Sequence, residues 1–87
     1  MRTIYKYEID INMGLQEIEV IAGGSITHIG EQDGKLCFWK EGVVGPDTEA
    51  MKIQVFGTGH IINDDDLFHW ASVQMSSGLV WHVYTLI

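Results

Sequence analysis

The sequence predicts an all-β domain: a small antiparallel β-sandwich or partly open barrel of about seven strands. Three observations carry that reading. Apolar and polar residues alternate with a period of two along most of the chain. The alternating runs are separated by dipeptides that favour tight turns. No segment offers a helical apolar stripe longer than about two turns.

Thr3 to Ile11 alternates, with Tyr5, Tyr7, Ile9 and Ile11 on one face and Lys6, Glu8 and Asp10 on the other. Leu15 to Ala22 repeats the pattern, Ile18 and Val20 opposing Glu17 and Glu19. Gly23-Gly24 then signals a two-residue hairpin into a strand from Ser25 to Gln32. Asp33-Gly34 is the strongest turn in the chain, because a type I′ turn needs positive φ at both central residues. Lys35 to Lys40 returns as an aromatic-rich strand. A long connection over Glu41–Glu49 carries the single proline in Gly45-Pro46-Asp47. Met51 to Phe56 is the fifth strand, and Gly57 to Asp66 breaks the pattern as a second long loop. Leu67 to Met75 and Leu79 to Leu86 close the chain as a hairpin across Ser76-Ser77-Gly78. Both faces of that final strand are apolar, which places it centrally between layers or in a subunit interface. Tight turns between consecutive strands imply meander connectivity.

Composition bounds the function. The 87 residues make one domain, residues 1–87, with 46% apolar residues to build a single modest core. A core of that size favours a homo-oligomer. Twelve acidic residues against five basic ones leave a net charge of −7. The cations stand singly at Arg2, Lys6, Lys35, Lys40 and Lys52, without the basic stripe that phosphate contacts need, so no direct nucleic-acid binding is expected. The acidity suits either plain solubility or a surface aimed at a basic groove on another protein. The single Cys37 sits in Leu36-Cys37-Phe38-Trp39 and reads as a packed, unreactive thiol. Alternation starting at Met1 leaves no room for a signal peptide, and no apolar stretch is long enough to span a bilayer. The expected location is cytoplasmic, with no membrane partner.

Gly57-Thr58-Gly59-His60 is the most site-like stretch. Two glycines around a hydroxyl residue let backbone N–H groups approach a small anion, and His60 adds a charge or a base. No helix follows, so a structural turn leaving a strand competes with that reading. Asp64, Asp65 and Asp66 form an acidic loop that offers partner contacts; consecutive aspartates cannot all converge on one hard cation, so no metal is expected there. Asp66 is also placed to cap a brief helical turn at Leu67-Phe68. His28, His69 and His82 fall inside strands and read as hydrogen-bonded packing residues; a cluster of histidines with Cys37 across strands stays open as a zinc site. No cofactor is expected. No Ser/His/Asp or Cys/His spacing points to nucleophilic catalysis. Among the surplus aromatic residues, Trp81 is singled out as a partner-binding side chain.

Four blocks carry a resemblance. They are Thr3-Ile4-Tyr5-Lys6-Tyr7-Glu8-Ile9, the hairpin Ile29 to Trp39, Val55-Phe56-Gly57-Thr58-Gly59-His60, and Leu79-Val80-Trp81-His82-Val83-Tyr84. In that order they resemble a widespread family of small uncharacterised phage and prophage proteins. The resemblance implies an accessory protein acting inside a bacterial cell and supplies no catalytic residue. The leading expectation is a non-enzymatic phage accessory or anti-defence protein that binds a host protein through an acidic and aromatic surface. The alternatives are a module that binds a nucleotide or similar small anion at Gly57–His60, and a virion or assembly component.

Overall fold

The computed structural model describes residues 1–86. Seven strands run β1 (Arg2–Glu8), β2 (Gln16–Ile21), β3 (Ile26–Gln32), β4 (Lys35–Val43), β5 (Thr48–Gly57), β6 (Leu67–Gln74) and β7 (Val80–Leu86). They form two antiparallel sheets, a three-stranded one ordered β1-β4-β3 and a four-stranded one ordered β2-β5-β7-β6. The sheets pack face to face as a sandwich, the first of the two expected architectures.

The connectivity is not a meander. Only β3–β4 and β6–β7 are hairpins between consecutive strands. The first turns at Asp33-Gly34, with φ of 54° and 79° as a type I′ turn requires. The second closes with the Met75 N–H donating to Leu79 O at 2.7 Å. Gly23-Gly24, read as a third hairpin, instead carries the chain from one sheet to the other. At Gly24, φ is +65° and a side-chain carbon would collide with the carbonyl oxygen of Glu41. The glycine is there because two backbones pass too close for anything larger.

Strand limits also differ from expectation. The first strand ends at Glu8 rather than Ile11, because the buried Gln16 amide takes over the Asp10 backbone: Asp10 N–H donates to Gln16 Oε1 and Gln16 Nε2 to Asp10 O. The expected Glu41–Glu49 loop shrinks to four residues. Arg2 to Ile4 pair with Val43 to Glu41 and hold that stretch in β4, while Thr48 to Ala50 pair with β2.

The inner faces supply the core: Leu36 and Phe38 from β4, Val20 from β2, Ile53 and Val55 from β5, Val73 and Val83 from β6 and β7. Phe38 is the centre, stacked on Tyr7 at 5.2 Å and tilted against Trp70 at 6.0 Å. Polar ties join the sheets at their margins. The Tyr7 hydroxyl accepts from Ile21 N–H at 2.8 Å, and the Glu31 carboxylate accepts from Ser76 N–H and Oγ. Lys40, only 3% exposed, points inward from β4. Its ammonium donates to the carbonyls of Ile21 and Gly23 and pairs with Glu49 at 3.0 Å. With the Glu41 carbonyl at 3.3 Å as a fourth acceptor, the buried charge is fully partnered, as it requires.

Cys37 is buried on the outer side of β4, and burial pushes its thiol above the ordinary value of 9.0. No helix among the described residues is long and apolar enough to cross a membrane.

Candidate functional site

Strand parity decides what the outer face of the four-stranded sheet displays. On β7, Trp81 and Val83 turn toward the core, so His82 and Tyr84 face outward. Ser72 is the registered partner of His82, and His69 is that of Tyr84. His69 and Ser72 are three residues apart, which on a regular strand would put them on opposite faces. The register shift between His69 and Ala71 resolves this. Trp70 is the extra residue of a β-bulge and goes inward to Phe38, which leaves His69 and Ser72 on one face.

The result is a continuous chain of four side chains from two strands and a loop. His69 Nε2 lies 2.9 Å from Ser72 Oγ, Ser72 Oγ 2.7 Å from His82 Nδ1, and His82 Nε2 3.0 Å from Thr58 Oγ1. Aromatic rings brace it: Tyr84 meets His69 edge-on at 5.4 Å and Phe56 edge-on at 5.3 Å.

The Gly57–His60 turn borders this face and closes on itself. Gly57 N–H donates to His60 Nδ1 at 3.0 Å, and His60 N–H donates to Gly57 O at 3.1 Å. The imidazole lies over Gly57, where a side-chain carbon would sit 3.0 Å from Cε1. A larger residue there would push the ring aside. Because Nδ1 accepts a hydrogen bond, the neutral ring carries its proton on Nε2 and offers it outward. Two of the four backbone N–H groups that an anion would use are therefore engaged, and those of Thr58 and Gly59 remain.

Two open clefts flank the turn. One of about 240 Å³ is lined by Phe56, Thr58, His60, Ile62, His82 and Tyr84. The other, about 320 Å³, runs along Thr58, His60, Leu79, Val80 and Trp81. Trp81 packs partly on the core and lends an edge to the second cleft. Around them Ile61 is 78% exposed and Leu79 57%. A larger cavity of about 530 Å³ lies elsewhere, lined in part by Lys40, Glu49 and Lys52, where the ion pair already satisfies the ammonium.

With this geometry in place, the comparison with known proteins is informative in one respect. The model of a family described as a domain of unknown function, DUF7352, matches residues 1–87. The chain belongs to the DUF7352 family. No curated protein and no solved structure matches it.

The acidic loop of this DUF7352 domain does not assemble into a site. Asp64 Oδ1 accepts from Asp66 N–H at 2.8 Å, Asp64 O accepts from Leu67 N–H at 3.4 Å, and all three aspartates are exposed. That turn leads straight into β6, so Asp66 caps no helix. Among the described residues, no three His, Cys, Asp or Glu side chains gather as a metal-binding group. Of the cations, Arg2 pairs with Glu41, Lys35 with Glu8 and Lys40 with Glu49, while Lys6 donates to Gln32. Lys52 stands opposite Glu17. None of the five lines either cleft beside His60.

Sequence reasoning singled out Gly57–His60 and Trp81, which line the clefts, read His69 and His82 as packing residues, and did not single out Ser72, Phe56 or Tyr84. Only a bulge puts His69 beside Ser72, and nothing in the alternation of β6 announces it.

Proposed function

We propose that this chain is a non-enzymatic binding domain that docks a protein partner on the rim around Gly57–His60. The observation that carries the reading is the pair of aromatic-lined clefts, bordered by exposed Ile61, Ile62 and Leu79, on a sheet face that no other strand covers among the described residues. The exposed carboxylates of Asp64 to Asp66 follow directly on Ile62 and favour a partner with a cationic border. With the resemblance to phage and prophage proteins, the proposal extends to an accessory protein acting on a host protein in the cytoplasm. The absence of any Lys or Arg from the cleft linings gives the anion-binding reading less support.

A photo-crosslinking residue at position 62 or 79 tests this reading in bacterial lysate. We expect one protein to be captured from both positions, and not from position 4 on the opposite sheet. Tyr84→Ser should weaken that capture at least tenfold. Equal capture from position 4 would sink the proposal.

A further inference from the structure

The His69–Ser72–His82 array brings ring nitrogens from two strands together on one exposed face. Two imidazoles from adjacent strands aim ring nitrogens at one hydroxyl oxygen, His69 Nε2 at 2.9 Å and His82 Nδ1 at 2.7 Å. The serine hydroxyl donates its proton to one of them and accepts an N–H from the other. The far nitrogen of His82 is held 3.0 Å from Thr58 Oγ1. When Nε2–H donates to that oxygen, Nδ1 carries the lone pair and faces Ser72. Outer hydrogen bonds of this type orient histidines that ligate metals. The His69 ring is fixed in turn by Tyr84, edge-on at 5.4 Å.

We infer that His69 and His82 form a two-imidazole site for a divalent transition ion of the zinc, nickel or copper type. Imidazole nitrogens are suitable ligands for all three. For both nitrogens to take the bond length of about 2.0–2.1 Å that zinc requires, the Ser72 hydroxyl rotates out of the gap and the two rings turn inward. The ion keeps two positions for water, since no third His, Cys, Asp or Glu joins the group among the described residues. The site is therefore of modest affinity, and its open positions are available to a donor atom from outside the chain. His60 is not a member, because its Nδ1 is already engaged by Gly57 N–H at 3.0 Å. The inference is independent of the protein-docking proposal.

The probe is zinc chloride alone, titrated at pH 7.5 into the full chain labelled with ¹⁵N at histidine. We expect the resonances of His82 Nδ1 and His69 Nε2 to move saturably while those of His28 do not, with reversal by EDTA. This measurement needs no variant. His69→Ala and His82→Ala should each weaken zinc binding at least tenfold; His60→Ala and Ser72→Ala should leave it within about twofold. Thr58→Val should weaken it severalfold, by releasing His82 Nε2. Three results would each overturn the inference: unmoved His69 and His82 resonances at 1 mM zinc, wild-type zinc affinity retained in His69→Ala or His82→Ala, or a tenfold loss in Ser72→Ala, which would mean that the hydroxyl bridge rather than the imidazole pair is what zinc perturbs.

Discussion

The junction at Lys40 and the rim at Gly57–His60 use similar parts in opposite ways. Each combines a glycine pair with a nitrogen-bearing side chain that bonds to backbone groups. At the junction the ammonium is buried and its donors are all used, on Ile21 O, Gly23 O and Glu49. At the rim His60 uses only Nδ1, on Gly57 N–H, and its Nε2 has no hydrogen bond among the described residues. A saturated, buried polar group can only hold the sheets together. A half-satisfied one in an open cleft can meet something else. Stability is therefore expected to depend on the first region, and the proposed docking on the second.

The largest effects are expected where the junction is broken. Lys40→Ala removes the side-chain donor from the carbonyls of Ile21, Gly23 and Glu41 and should lower stability by about 3 kcal/mol. Gly24→Ala forces a carbon onto the Glu41 carbonyl at positive φ and should lower it by a similar amount, about 3 kcal/mol. Urea unfolding followed by tryptophan fluorescence measures both. Glu49→Gln should lose less than about 1 kcal/mol, because Glu49 is half-exposed and water screens the pair. An Glu49→Gln loss as large as that of Lys40→Ala would show that the ion pair, rather than the carbonyl contacts, holds the junction.

At the rim, His60→Ala removes one hydrogen bond at an exposed turn and should destabilise the fold by about 1 kcal/mol or less. Gly57→Val displaces the His60 ring and should alter the amide resonances of residues 57–60 while leaving β1, β3 and β4 unchanged.

The smallest expected effect concerns Cys37. Burial raises its thiol, so the folded chain keeps the proton that the unfolded chain releases near the ordinary value of 9.0. This contribution to stability is complete below that pH and declines as pH rises through it. Cys37→Ser should flatten the decline. In the native state at pH 7, a thiol reagent should modify Cys37 only at the rate of local opening.

How much of this was legible in the sequence differs between the same two regions. Alternation located all seven strands, and Asp33-Gly34 revealed its hairpin, because both signals are local. Gly23-Gly24 misled for the same reason: two glycines look alike whether they turn a hairpin or let two backbones pass, and only the position of Glu41 distinguishes the cases. Lys40 was one of five scattered cations until the fold enclosed it. At the rim, Gly57–His60 stood out because Gly and His are unusual beside a strand, and Trp81 because a large ring is hard to bury fully. Ser72 did not stand out, and His69 read only as a strand packing residue. Their meeting depends on the bulge at Trp70, which alternation treats as noise, and on a register between β6 and β7 that no local pattern encodes.

The account rests on the outer face of the four-stranded sheet being where a partner docks. Hydrogen–deuterium exchange on the full chain, with and without the protein captured by crosslinking, tests it most directly. The account predicts slowed exchange in residues 57–66 and at the Ser76–Gly78 turn, with β1, β3 and β4 unaltered. Protection confined to β1 and β3, with residues 57–66 unaffected, would contradict it.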